Sequence, residues 1–347
     1  MSYLQAFVIA LVQGVTELFP VSSLGHSVLL PAWIGGSWQI LVTQSSQPNS
    51  ESSFYLSYIV ALHCATALAL MWFFRADWAR VIRGFVRSLR RSLRQRHLAV
   101  ADTDERLAWM IVFATIPVGL TGVALEHTFR TVFAKPLAAG FFLLVNGLIL
   151  AGAEILRRSR ARRSHPSSVR AVDPAPAMAA AAPARVAAVV PTATGRPHSH
   201  RKTTGGRARA EIDAAGQSDR RIAAMSYGDA VLIGGFQIAA LLAGISRSGV
   251  AMAGGLWRGL DHEDAARFAF LLATPVILAA GVLKVPSLLG PSGAHIHGQV
   301  VLGIVVTGVS AYLSVRFLVR WFQTRTLTPF AVYCLVVGAA SIARFMA

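Results

Sequence analysis

Hydrophobic residues in this chain come in long unbroken runs rather than in alternation or a narrow helical stripe. Five runs carry little or no charge: Phe54–Phe74, Leu107–Leu125, Leu137–Leu156, Phe268–Leu283 and Val300–Val315; a sixth, Leu327–Ala343, follows them. Runs of this kind predict helices crossing a ~30 Å hydrocarbon core, the shorter ones extended by flanking side chains that snorkel. Two further apolar regions, Tyr3–Gly36 and Tyr227–Gly259, are interrupted halfway by small and polar residues. The interruptions read Phe19-Pro20-Val21-Ser22-Ser23-Leu24-Gly25-His26 and Ala243-Gly244-Ile245-Ser246-Arg247-Ser248-Gly249. Open backbone at membrane depth is tolerated only where it is buried in protein or lines a cavity, so each region predicts a re-entrant hairpin.

The two broken regions are copies of each other. Displaced by 224 positions, residues 1–25 and 225–249 share nine identities without a gap, among them Gln13 with Gln237, Ser22 with Ser246 and Gly25 with Gly249. Composition this biased gives about three or four by chance. Each copy is followed by three apolar runs, so the chain reads as a duplicated unit. The expected fold is an all-α polytopic membrane protein with an inverted-topology repeat. The first repeat is 1–156 (hairpin 3–36; spans 54–74, 107–125, 137–156) and the second 227–346 (hairpin 227–259; spans 265–285, 300–320, 327–346). Residues 157–226, rich in Ala, Pro, Ser, Thr and Arg, predict a basic disordered cytoplasmic linker.

Composition agrees with this. Of 347 residues, 54% are hydrophobic and 14% charged, against roughly 25% charged in a soluble domain. A soluble enzyme, a disordered chain and a secreted disulfide scaffold are excluded. The net charge of +17 would suit nucleic acid, but it is concentrated in two blocks. Arg75–Arg96 holds eight Arg and one acid, and Arg157–Arg221 holds thirteen Arg, Lys202 and four acids. Both blocks lie between spans, where the positive-inside bias explains them without nucleic acid. Placed in the cytoplasm, they put Ser37–Ser53 outside, dip the first hairpin in from outside and the second from the cytoplasm, and let the tips meet at the midplane. The alternative, a first segment that crosses completely, puts Met1 in the cytoplasm. Cys64 and Cys334 fall in apolar runs and read as packing residues.

The breaks hold the candidate chemistry. Glu17 is the only acid in the first 50 residues, and an ionisable group inside an apolar run is a functional-site hypothesis by default. In a helix begun after Pro20, Ser22 and Ser23 share a face with His26, and a hydroxyl beside an imidazole is the minimum for an activated nucleophile. Arg247, between Ser246 and Ser248, needs an anionic partner at this depth: either Glu17 or a phosphate held by its guanidinium fork. Gly25 and Gly249 would admit a close backbone approach, and helix N-termini aimed at the site suit an anion. The set fits phosphoryl-group hydrolysis inside a membrane.

Gln13-Gly14-Val15-Thr16-Glu17 and Pro20-Val21-Ser22-Ser23-Leu24-Gly25-His26 resemble the (Glu/Gln)-x-x-x-Glu and P-V-S-S-x-G-H signatures of bacterial undecaprenyl-diphosphatases of the bacitracin-resistance type. Gly235-Phe236-Gln237 and Gly244–Gly249 resemble the second motif of that family, and Phe268–Pro275 its following span. The resemblance covers roughly 1–156 and 222–346. It implies hydrolysis of undecaprenyl diphosphate to the monophosphate and inorganic phosphate, which recycles the carrier lipid of peptidoglycan synthesis. It also implies a divalent cation (Mg²⁺ or Ca²⁺) at Glu17 and a site on the extracytoplasmic side of the bacterial cell membrane. Ser23, His26, Glu17 and Arg247 are then the catalytic candidates. Ser22, Gly25, Ser246, Ser248 and Gly249 are candidates to bind phosphate with Arg247, and Gln13 and Gln237 to support them. The expected partners are the bilayer and a polyprenyl diphosphate lipid, with a homodimer as a further arrangement.

Some positions depart from the family pattern: Gln13 takes the amide form, Leu24 stands where Thr is common, and Ala243 and Ala251 replace a frequent Pro and Thr. The unrelated lipid phosphatases that also use Ser, His and Arg have a His where this chain has Ala253. The rival reading is a flippase or anion transporter, because inverted repeats with broken midplane helices are transporter anatomy. For hydrolysis, two routes stay open: attack by Ser23 (or Ser22) with His26 as base, or attack by a metal-bound water.

Overall fold

A computed structural model describes residues 1–45, 54–133, 135–164, 215–284 and 297–347. The first half contains α1 (Tyr3–Thr16), α2 (Ser23–Ile34), α3 (Ser37–Ser45), α4 (Phe54–Phe73), α5 (Arg75–Gln95), α6 (Thr103–Phe133) and α7 (Pro136–Ser164). The second contains α8 (Ala215–Ala223), α9 (Tyr227–Phe236) with a 3-10 turn Gln237–Leu241, α10 (Arg247–Trp257), α11 (His262–Lys284), α12 (His297–Thr324) and α13 (Thr328–Met346). No strand occurs among the described residues. Five helices, α6, α7, α11, α12 and α13, are long and apolar enough to span a membrane, or up to seven if two bent pairs each count as one span. The protein is an all-α polytopic membrane protein.

Packing exchanges elements between the halves. Helix α1 lies on α12 while α9 lies on α6; α7 packs on α13, and α4 on both α11 and α12. Small residues allow the approach: a Cβ on Gly338 of α13 would come within 2.6 Å of the Leu144 backbone on α7. Large apolar side chains such as Leu120, Leu148, Val305 and Val336 stay exposed on the outer faces, where lipid rather than water would meet them.

The two broken regions have matching local structure. Each opens on a capping box at aligned positions, Ser2 with Gln5 and Ser226 with Asp229. In each the second helix begins on a serine N-cap, Ser22 for α2 and Ser246 for α10. Helix α1 stops because Pro20 has no N–H to continue the ladder.

Two expectations need correction, and one reading is extended. Residues 157–164 continue α7, and α8 lies within the stretch expected to be disordered. The core holds α8: Asp219 pairs with Arg80 (2.7 Å) and Arg267 (2.9 Å), and Arg221 with Asp264 (2.5 Å). The rest of that segment, 165–214, lies outside the described residues. The block at Arg75–Arg96, read for its charge alone, is an amphipathic helix with Val81, Gly84 and Ser88 buried. Part of the expected loop at Ser37–Ser53 is α3.

Candidate active site

The two breaks meet. Ser22 accepts hydrogen bonds at Oγ from the N–H of Gly25 in its own helix and of Gly244 in the other break, both at 3.2 Å. A Cβ on Gly25 would come within 2.9 Å of Gly244 Cα, and Gly244 itself has φ +117°. Only glycine serves at either position, one for clearance and the other for its backbone. Ser22 reaches this latch with φ 70°, a left-handed conformation costing a non-glycine residue on the order of 1–3 kcal/mol.

The carbonyls freed by the first break are taken up by other elements. Phe19 O accepts from Ser246 Oγ and Ser248 Oγ, both at 3.4 Å, and Pro20 O accepts from Asn146 Nδ2 at 3.0 Å. Asn146, on α7, also accepts the Ser246 N–H at Oδ1 (3.0 Å), so one amide ties both breaks to a spanning helix. Gly249 N–H bonds Ser246 Oγ at 3.1 Å. Ser22, Gly25, Ser246, Ser248 and Gly249, all expected to bind phosphate, thus also take part in the bonds that hold the breaks together.

Against this latch stands a reactive group. Ser23 is the first residue of α2 and Arg247 the first of α10, so two helix N-termini, each with partial positive charge, are brought together. The Ser23 hydroxyl donates to Glu17 Oε2 in a short contact. Gln13 Nε2 donates to the same oxygen at 3.1 Å, and His63 Nε2 lies 3.1 Å from it. Glu17 and Ser23 are buried. Arg247 acts electrostatically on Glu17 without bonding to it, and its Nη1 is buried with no hydrogen-bond partner. The internal ion pair anticipated for Glu17 and Arg247 is therefore not made, leaving a guanidinium N–H for an incoming anion.

The expected pairing of Ser23 with His26 does not form. His26 Nδ1 lies 2.6 Å from Ser22 O and Nε2 lies 2.8 Å from Tyr333 Oη. A carbonyl only accepts, so the proton sits on Nδ1, and Nε2 accepts from the Tyr333 hydroxyl. Tyr333 also stacks on the imidazole, with centroids 5.7 Å apart. A shared helix face put Ser23 near His26 without making them partners. The imidazole bonded within the Ser23 cluster is that of His63.

His63, Asn146 and Tyr333 were not singled out in the sequence. His63 carried a usable signal, as the one ionisable group besides Cys64 and the tyrosines in the run Phe54–Phe74. Asn146 carried a weaker one, a lone amide in an apolar run. Tyr333 carried none, since tyrosine is ordinary near membrane interfaces.

For a hard divalent cation the donor set fits in kind. Glu17 offers a carboxylate, Ser23 a hydroxyl, and Gln13 an amide Oε1 that is buried with no hydrogen-bond partner, and such cations take oxygen ligands. No group of three or more His, Cys, Asp or Glu able to hold a metal occurs among the described residues, so a cation here would draw other ligands from its substrate. Both side-chain ends of Gln237 are likewise buried and without a partner.

A family model described as bacitracin resistance protein BacA matches residues 6–193 and 199–340. An "Undecaprenyl-diphosphatase 2" of Frankia alni is 56% identical, over 99% of this chain and 98% of that protein. An "Undecaprenyl-diphosphatase" of Mycolicibacterium paratuberculosis is 50% identical over 99% and 97%. One of Acidiphilium cryptum is 36% identical over 99% and 98%.

Proposed function

The chain belongs to the bacitracin resistance protein BacA family, and we propose that it is an integral membrane phosphatase acting on undecaprenyl diphosphate. It releases inorganic phosphate and undecaprenyl phosphate, recycling the lipid carrier of peptidoglycan synthesis and conferring bacitracin resistance. The observation that carries the reading is the Ser23 hydroxyl held on Glu17, beside a guanidinium N–H with no partner.

The residues divide the work as follows. Ser23 Oγ attacks the terminal phosphorus and passes its proton to Glu17 Oε2. His63 Nδ1 is 2.8 Å from Ile59 O and therefore protonated. The contact of Nε2 with Glu17 then needs one shared proton, and while it rests on His63, Glu17 is a carboxylate able to serve as base. Arg247 and the N-termini of α2 and α10 stabilise charge on the transferring group. Undecaprenyl phosphate leaves, and water hydrolyses the phosphoserine. His26, locked between Ser22 and Tyr333, orients the first turn of α2 rather than receiving the serine proton.

A divalent cation, Mg²⁺ or Ca²⁺, would be held by Glu17 and Gln13 Oε1, and when bound would offset the diphosphate charge. The repeats are inverted in topology, and the site opens to the extracytoplasmic side of the cell membrane, the side that the family resemblance implies. A homodimer is compatible with this reading, because one chain supplies every residue named. The flippase reading loses ground because transport needs charge compensation, not a hydroxyl bonded to a carboxylate. Phosphate release by the purified protein in detergent, with no second compartment, tests the proposal; movement of the lipid without release would replace it with transport.

A further inference from the structure

Helix α5 leaves the end of α4 at 87°, and a helix at right angles to a span lies along the membrane surface. Its inner face, with Val81, Gly84 and Ser88, is buried against α6. A second row, Ile82, Val86 and Leu93, is apolar yet exposed, Leu93 by 72%. The spacing of four and then seven residues keeps these on one side of the helix. An exposed apolar row beside an already packed face calls for a non-aqueous neighbour.

The adjoining row is Arg83, Arg87, Arg90 and Arg94, with the same helical spacing. Between the rows lies a groove of about 460 Å³ lined by Ile82 and Val86 together with Arg83, Arg87 and Arg90. Its cations are committed to different degrees. Arg90 and Arg94 have no hydrogen bond or ion pair among the described residues. Arg83 uses Nε on Ala79 O (2.8 Å) and keeps its terminal N–H groups, and Arg87 meets Asp102 at 2.8 Å in an exposed pair and Glu105 at 3.9 Å; Arg80, also on the groove, is taken up by Asp77 and Asp219. Asp104, the acid on the groove, is held by Arg80 at 3.5 Å. An apolar floor and a guanidinium rim in which Arg90 is unpaired and Arg87 is held only by exposed or long contacts complement a molecule with an acyl chain and a phosphate.

We propose that this face of α5 is a binding site for an anionic phospholipid, with its headgroup phosphate on Arg87 and Arg90 and an acyl chain along Ile82 and Val86. The site is separate from the Glu17 cluster and does not depend on how that cluster works.

Native mass spectrometry of the detergent-purified full chain, titrated with phosphatidylglycerol or phosphatidylcholine, tests it. The wild type should hold phosphatidylglycerol about tenfold more tightly, a preference of the size that juxtamembrane arginines confer. In R83Q/R87Q/R90Q/R94Q the two lipids should bind alike, while phosphate release in lipid-free detergent stays at the wild-type rate and shows an intact fold. Equal retention of both lipids by the wild type would overturn the proposal. So would a preference that survives in the variant, or displacement of phosphatidylglycerol by inorganic phosphate. Should the fourfold variant lose activity in detergent, R90Q decides: a reduced preference supports the site, an unchanged one refutes it.

Discussion

His63 Nε2 lies 3.1 Å from Glu17 Oε2, the oxygen that also receives the Ser23 hydroxyl. Because His63 Nδ1 is committed to Ile59 O at 2.8 Å, the proton between imidazole and carboxylate decides whether Glu17 can act as a base. His63→Leu removes that donor and should lower kcat by about 10²-fold, within the range for a proton-transfer group. His63→Gln, which retains an N–H, should recover part of the loss, and KM should change little in either. Wild-type kcat in His63→Leu would remove the imidazole from the mechanism.

Glu17→Gln replaces the carboxylate with a group that cannot take the serine proton. Turnover should fall by about 10²- to 10⁴-fold with expression and thermal stability preserved. Chelator treatment of the wild type should also abolish turnover, and added Mg²⁺ or Ca²⁺ should restore it. Full activity of Glu17→Gln in chelator-treated protein would exclude both roles.

Ser23→Ala should lose activity as severely as Glu17→Gln, because both act on one proton. Quenching the wild type during turnover and mapping phosphate should find it on Ser23. Ser22 is the internal comparison: its oxygen accepts two backbone N–H groups at 3.2 Å, so Ser22→Ala should mainly lower stability. Phosphate found on neither serine, with turnover surviving in Ser23→Ala, would hand the attack to water.

Arg247→Lys keeps the charge and loses the planar fork. If the buried Nη1 serves the transferring phosphoryl group, kcat should drop by about 10²-fold, a typical cost for one transition-state donor. Retained kcat would instead mark a residue that only compensates charge.

The side of the site can be read from labelling. Ser37 and Gln95 are both exposed, and single cysteines there, in a background lacking Cys64 and Cys334, should react from opposite sides of intact cells. Labelling of both from outside would contradict the proposed orientation.

The all-α membrane class, the two breaks and their likeness to each other are written in the sequence, as is the presence of Glu17, Ser23 and Arg247 within those breaks. Lipid makes this so: each segment must satisfy its own backbone hydrogen bonds, so composition over a helix length decides whether it spans. Amphipathic α5 was legible too, but only to helical period and not to charge count. The partners were not. Local spacing set Ser23 three residues from His26, yet Ser22 and Tyr333 take both imidazole nitrogens, while His63 arrives from α4 and Asn146 from α7. Sequence fixes which side chains share a helix face; which hydroxyl meets which acceptor depends on how separate helices cross, and only packing of the whole bundle decides that.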